Sequence, residues 1–317
     1  MTVNGYNISG MDGYTAGGGG SDPASLFSEE RRRGLAAAFS RVGRALRELY
    51  ARPASALGTT LVLVFFFMAL FGPLIAPYSA TEQIAGAARQ APSLQHLFGT
   101  DHLGRDVFSR VVLGARDILA LAGLGTLLAV AIGTLVGMFS AYRGGWVDEI
   151  SFRLFDSLLA LPALLLALLL LGVVGPSRSS VLVVLVIVYV PIVARVVRSV
   201  VLSTKQKGFV EAARMQGEST ASIVRRDIFP SVTPALTVEA ALRFSYAIFL
   251  VASLGFLGVG VQPPNPDWGL MVSQARPYVS LTPWALYFPA IAIALLVIGV
   301  NLAADGLKRV LLPGRES

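Results

Sequence analysis

The sequence predicts an all-α membrane protein with six transmembrane helices. Three observations carry that prediction. Of 317 residues, 54% are hydrophobic and 14% charged, and the mean hydropathy is +0.67, whereas a soluble domain carries about 25% charged residues. Six apolar runs contain no Asp, Glu, Lys or Arg. Lys and Arg are concentrated in alternate connecting segments, as they are on the inner side of membrane proteins. This excludes a water-soluble enzyme, and a buried helical bundle fails because the polar residues are too few to cover it. With no cysteine, disulfides, thiol nucleophiles and thiolate metal sites are excluded. The two histidines, His96 and His102, are not spaced as a usual metal pair. The net charge of +7 does not call for nucleic acid, since a basic excess in such a chain first marks membrane sidedness.

Residues 1–30, with Gly17–Gly20 and few apolar groups, read as a disordered tail. Across 31–54, arginines alternate with Leu35, Phe39, Val42, Leu46 and Leu49. That pattern suits an amphipathic helix on the inner leaflet and equally a basic stretch that only sets topology. The first span is read within 53–81, too far from the N-terminus for a cleaved signal peptide. The others are charge-free runs of 25 residues (118–142), 21 (157–177), 16 (179–194), 23 (244–266) and 28 (277–304). A spanning helix needs about 20 apolar residues, so the run of 16 needs Arg195 or Arg198 to snorkel. Segments on the expected inner side hold 19 Lys and Arg, those on the outer side 6. Both termini are therefore expected in the cytoplasm. Pro162 and Pro191 are expected to kink spans three and four, and Gly133 and Gly137 to bring span two close to a neighbour. Segment 98–116 reads as an outer helix tied by ion pairs, Asp106 to Arg110 among them.

The chain lacks the chemistry of a self-driven pump. A phosphate-binding loop needs Gly-Lys, but Lys205, Lys207 and Lys308 follow Thr204, Gln206 and Leu307. Ion-coupled carriers place ionisable groups deep in their helices, and here Asp156, Glu239, Arg243 and Asp305 are expected near helix ends. Glu239 and Arg243, at i,i+4, read as a structural ion pair or as a direct participant in transport. The spans thus look passive, which suggests a pore-forming subunit driven by another protein.

Between spans four and five lies a polar segment, 205–232. Gly217 separates two helical stretches, one with Val210, Ala213 and Met215, the other with Ile223, Ile228 and Phe229. A glycine there permits a turn that a residue with a Cβ resists. The segment could project as a rigid knob or simply link two spans.

Glu211-Ala212-Ala213, then Gly217, then Ile228-Phe229-Pro230 resemble the EAA loop of ABC importer permeases. The family pattern ends in Ile, any residue, Leu, Pro, where this chain has Asp227, Ile228, Phe229 and Pro230. Phe98–Arg110 with Gly114–Arg116, Tyr142–Asp148, Arg153–Asp156, Leu254–Pro264 with Trp268-Gly269, and Asn301 with Asp305–Leu307 resemble the second permease of dipeptide and oligopeptide importers. Gly255 and Ala304 stand where Ser and Gly are usual. The resemblance covers roughly 55–313 and implies a type I permease fold with a cytoplasmic coupling helix. It implies that Glu211, Ala212, Ala213, Gly217, Arg225 and Pro230 couple to the ATPase. It further implies a non-catalytic subunit that moves short peptides inward by alternating access. The implied partners are a homologous permease, two nucleotide-binding subunits or domains, an extracytoplasmic binding protein and the lipid bilayer of a prokaryotic plasma membrane. ATP and Mg would sit on the ATPase subunits, with no cofactor in this chain. Nickel chelate or glutathione are alternative cargoes, and a self-sufficient carrier or channel is the competing class.

Overall fold

The computed structural model describes residues 49–311, so the expectations for the tail (1–30) and for 31–48 lie outside the described residues. Within them the chain is helical, with a single isolated β-bridge, between Thr100 and Asp106.

Helix α1, Pro53–Ile75, opens with proline at N1, a position where the missing N–H costs nothing. One side is bare, with Phe66, Phe67, Leu70 and Leu74 exposed, as a lipid-facing surface should be. The other side packs on α2 (Val107–Arg143) and α10 (Pro283–Leu311). A Cβ on Gly58 would meet Leu302 Cβ at 2.5 Å, and one on Gly299 would meet Leu61 Cβ at 2.8 Å. The α1–α10 contact therefore depends on small residues, as close helix packing in lipid does.

With 37 residues, α2 is about 55 Å long and overshoots a bilayer core of about 30 Å. It packs most extensively on α5, Arg178–Thr204. Gly133 and Gly137 lie against Val193 and Ala194 of α5, at separations of 2.8 and 2.6 Å from an added Cβ. The expected close approach of span two is thus to span four.

Span three is not one helix. Gly145–Leu159 (α3) and Ala163–Val174 (α4) meet at 91°, with Pro162 as N-cap of α4. Proline disfavours the α conformation in the residue before it, and the break falls there. Among the described residues five helices are long and apolar enough to cross a membrane, six if α3 and α4 form one broken span.

Span four extends well past the expected 179–194. Arg195 and Arg198 remain inside α5 because each has an acid on α3. Arg198 Nε and Nη2 grip the Asp148 oxygens at 2.8 and 2.5 Å, and Arg195 Nη2 reaches Asp156 at 2.5 Å. Pro191 lies within an uninterrupted α5.

Span five begins earlier than 244. α8 runs Phe229–Phe256, and with its lead-in it forms a continuous helical segment, Thr220–Phe256, that contains an apolar stretch long enough to cross a membrane. Glu239 and Arg243 therefore lie inside α8, away from its ends. Their expected place near a helix end is corrected. The pair at 2.7 Å lets the helix continue through a stretch that reads as polar.

At the end of the bundle opposite residues 205–232, segment 98–106 is not helical. α2 starts at Val107, and Asp106 is its N-cap, accepting from Ser109 N at 2.8 Å. The other Asp106 oxygen meets buried His96 Nδ1 at 2.9 Å. The expected Asp106–Arg110 pair does not form. Arg110 donates to the Ala80 carbonyl, and the i,i+4 pair that exists is Asp101–Arg105, at 2.6 Å. Arg105 also bonds Gln274 of α9 (Trp268–Ala275), and Trp284 Nε1 donates to the Thr100 carbonyl at 2.9 Å. Segment 76–106 is thus tied over the ends of α2, α9 and α10. His102 stacks on Tyr278, and partial burial holds its pKa below the ordinary value, with Arg105, Arg89 and Arg110 adding to the effect and Asp101 opposing it.

The main buried core centres on Trp268, Leu185, Ile248, Leu254 and Leu296. Trp268 is wholly buried and donates Nε1–H to the Val111 carbonyl at 3.0 Å. A second cluster lies at the opposite end of α5 and roots residues 205–232 in the bundle.

Candidate coupling surface

Helix α6, Gly208–Met215, is amphipathic over two turns. Val210 is wholly buried, Ala212 and Ala213 are half-buried, and Phe209, Glu211, Arg214 and Met215 are exposed, Met215 to 83%. Met215 thus lies on the opposite side from Val210. Glu211 in the first turn and Arg214 in the last complement the helix dipole. Arg214 also lies over the Tyr142 ring at 5.4 Å.

Gly217 ends α6 at φ +78°, a conformation that costs a residue with a Cβ about 1–2 kcal/mol. Gly217 N–H donates to Arg214 O and Glu218 N–H to Ala213 O, closing the last carbonyls of the helix. The chain restarts at once. Ser219 caps α7, Thr220–Ile223, by accepting from Ser222 N, and Ser222 Oγ returns a 2.8 Å hydrogen bond to Glu218.

The stretch beyond Gly217 is not a separate second piece. α7 passes through a π turn, Val224–Ile228, directly into α8. Pro230 stands in the first turn of α8. It has no N–H to offer the carbonyl four residues back, and the wide π turn lies immediately before it. Only α6 stands out as a short helix of its own, and α7 with the π turn is the lead-in to span five.

The anchoring is apolar. Val210, Ile223 and Ile228 are 0–1% exposed and share a buried cluster with Met138 and Ala141 of α2 and with Val193, Val197 and Val201 of α5. Lys205 Nζ adds a 3.1 Å hydrogen bond to the Ala141 carbonyl. The outward side is different. Glu211, Arg225 and Arg226 are exposed, and none has an ion pair among the described residues. Glu211, Ala212, Ala213 and Gly217 lie together on α6 and its turn, Arg225 on the π turn, and exposed Pro230 one turn further. The arrangement is a small surface of apolar and charged side chains whose root is continuous with three spans. The sequence did not reveal exposed Phe209, because an aromatic residue beside Val210 reads as core. The Asp148–Arg198 clamp was also missed, since its partners are fifty residues apart.

Among the described residues no group of His, Asp or Glu could hold a metal ion. Away from the coupling surface, a groove of about 600 Å³ opens between α4, α8, α9 and α10. Phe249, Ser253, Phe256 and Ile293 are among its lining residues.

Comparison with known proteins gives three findings. The family described as the binding-protein-dependent transport system inner membrane component matches residues 133–317, and the N-terminal transmembrane domain of oligopeptide transport permease C matches residues 40–92. The chain is 38% identical over 273 residues to the dipeptide transport system permease protein DppC of Alkalihalophilus pseudofirmus, covering 86% of this chain and 90% of the relative. It is 40% identical over 253 residues to the glutathione transport system permease protein GsiD of Escherichia coli O157:H7, covering 80% and 84%. Its fold is similar to a chain of the MetNI methionine ABC transporter in an inward-facing conformation, with TM-score 0.51, 20% identity, and coverage of 64% of this chain and 96% of the other.

Proposed function

The chain belongs to the family of inner-membrane components of binding-protein-dependent transport systems, and on that premise we propose that it imports short peptides and takes its drive through the surface around α6. The observation that carries the reading is the two-sided build of residues 205–232. The outer side offers Glu211, Arg225, Phe209 and Met215 to a partner, while Val210, Ile223 and Ile228 share one buried cluster with α2 and α5. Force applied to α6 reaches the spans through this shared cluster and through short turns, residues 205–207 before α6 and 216–219 after it. From Thr220 the chain is helical through to Phe256.

In this reading the partner is an ATPase subunit, one of two, and a homologous permease completes the pathway. Glu211 meets a donor on the ATPase through a charge-assisted hydrogen bond. ATP binding draws the two ATPases together, α6 moves with them, and α5 and α8 shift from inward-open to outward-open. Cargo arrives from a binding protein on the side of segment 76–106. ATP and Mg act only on the ATPase subunits. Both termini lie in the cytoplasm, a placement supported by the asymmetry of Lys and Arg. Domain limits of 55–313 for the permease and 205–232 for the coupling loop belong to the same reading.

The cargo assignment is supported by the relative named for dipeptide transport. The relative named for glutathione transport favours glutathione, itself a peptide, as the second reading. The test is reconstitution. The complete complex with its binding protein should accumulate radiolabelled dipeptide in proteoliposomes only when ATP is present, and this chain alone should not. Accumulation by the single chain under a proton or sodium gradient would overturn the proposal in favour of a secondary carrier.

A further inference from the structure

Arg243 lies at the midpoint of the 28-residue α8. Its guanidinium sits 5.9 Å from the ring centroid of Tyr189, itself close to the middle of α5, and 4.9 Å from that of Tyr246. Two neighbouring helices thus meet at one cation near the middle of each, and an ionisable side chain inside an apolar helix marks function more often than architecture.

The way this cation is held sets it apart from the other arginines of the spans. Arg198 uses two nitrogens to grip both oxygens of Asp148. Arg243 instead approaches Glu239 Oε1 most closely through Nε, at 2.7 Å, without a well-directed hydrogen bond between these two buried atoms. Its terminal nitrogens donate to nothing among the described residues. A guanidinium offers five N–H donors in a flat fork that matches a carboxylate, and the part left unused here is the terminal edge of that fork. The side chain is 16% exposed. It emerges beside exposed Tyr246, the first of a row with Phe249, Ser253 and Phe256 along one face of α8. The last three line the groove of about 600 Å³.

We infer that Arg243 is a mid-path recognition residue that receives the free carboxylate of the cargo on its terminal nitrogens, with Glu239 positioning the guanidinium and offsetting its charge in the empty state. The inference rests on the peptide-import reading and adds a chemical requirement to it: a cargo with a planar anionic end. Tyr189 and Tyr246 hold the cation through their ring faces and leave its edge open.

The test compares a radiolabelled dipeptide with its C-terminal amide. Equilibrium binding is measured on the complete permease–ATPase complex without binding protein, so that the binding protein's own selectivity does not enter. The parent complex should bind the free acid at least tenfold more tightly than the amide. Arg243→Gln should bring the acid down to the level of the amide while ATP hydrolysis continues. Arg243→Lys keeps the charge but lacks the fork, so it should assemble and lose several-fold of the acid-over-amide ratio. A purely structural ion pair would weaken both ligands alike, so an unchanged ratio in either variant overturns the inference, as does a parent complex that treats acid and amide equally. Uptake by the parent complex with its binding protein separates the two levels. If neither peptide enters, the import reading itself falls and this inference with it. If both enter equally and bind equally, only the role of Arg243 falls.

Discussion

Replacing Ile228 by alanine should disconnect the coupling surface from the spans while leaving the spans folded. Ile228 is wholly buried in the cluster that joins Val210 and Ile223 to α2 and α5. The substitution deletes three carbons. At about 0.8 kcal/mol per buried methylene, the transfer loss is about 2.4 kcal/mol, and the cavity left behind brings it to about 3 kcal/mol, within the usual range for Ile→Ala. Since 1.4 kcal/mol is a factor of ten, the detached state of the loop should gain on the order of a hundredfold. The main core around Trp268 and Leu254 is a separate cluster and loses nothing. The assay pairs amide hydrogen exchange over residues 208–228 with uptake and ATP hydrolysis in proteoliposomes containing the full complex. Faster exchange in the loop, normal membrane levels and fewer peptides moved per ATP are expected. Phe209→Ala, at an exposed side chain, should leave exchange unchanged and weaken ATPase binding. Parental exchange and parental uptake per ATP in Ile228→Ala would refute the idea that this cluster carries force.

The same geometry sets three other outcomes. Gly217→Val should cost about 1–2 kcal/mol and lower coupling, whereas Gly217→Asn should be better tolerated, because asparagine enters the left-handed region more readily. No atom lies within 4 Å of the added Cβ, so equal behaviour of the two variants in transport would show that φ is not the constraint. Glu211→Ala removes no ion pair and only a helix-dipole contribution of about 0.3–1 kcal/mol, so it should change thermal stability little while weakening ATPase docking by about 1.5–3 kcal/mol, read by co-purification at graded salt. Asp267, buried as N-cap of α9, has its pKa pushed up to about 6 by burial, with the charge of Asp117 adding to this and the backbone N–H groups of Leu270 and Gly269 opposing it. Its folded pKa exceeds its unfolded value, so the folded state is favoured when the acid is protonated. That contribution is complete below about pH 4 and lost as pH rises through 6, a cost approaching 3 kcal/mol at pH 7.5. Asp267→Asn, which keeps an acceptor for Leu270 N–H, should raise the Tm in detergent at pH 7.5 and shrink the parent's gain in Tm between pH 7.5 and 5. A variant Tm equal to or below the parent's at pH 7.5 would contradict this.

The spans were legible wherever a charge-free run stood alone, because lipid imposes that composition directly. Their ends were not legible where charges pair across helices. Arg195 and Arg198 read as the end of span four, yet Asp156 and Asp148 on α3 let α5 run on to Thr204. Those pairings are long-range and leave no local pattern. Glu239 and Arg243 read as the edge of span five, but paired at i,i+4 they sit inside a helix that starts ten residues before Glu239. Asp106 had two local partners available, Arg110 one turn on and the N–H of Ser109. The cap won because Ser109 N–H is a free donor at a helix start, while Arg110 finds the Ala80 carbonyl. Around the coupling surface, Gly217 and the apolar anchors Val210, Ile223 and Ile228 could be read from spacing. The continuity of α7 with span five could not, since Pro230 reads as a break rather than as a π turn that absorbs it.

The central claim is that residues 205–232 face the cytoplasm and dock an ATPase. The chain has no cysteine, so a single one can be introduced without background. Met215, 83% exposed at the tip of α6, and Leu94, fully exposed in segment 76–106, serve as opposite positions. In intact cells an impermeant maleimide should label Leu94→Cys and spare Met215→Cys. In membranes with the complete complex, a bifunctional crosslinker should join Met215→Cys to the ATPase subunit and leave Leu94→Cys unlinked to it. Labelling of Met215→Cys from outside, together with the absence of any crosslink to the ATPase, would contradict both the orientation and the docking role.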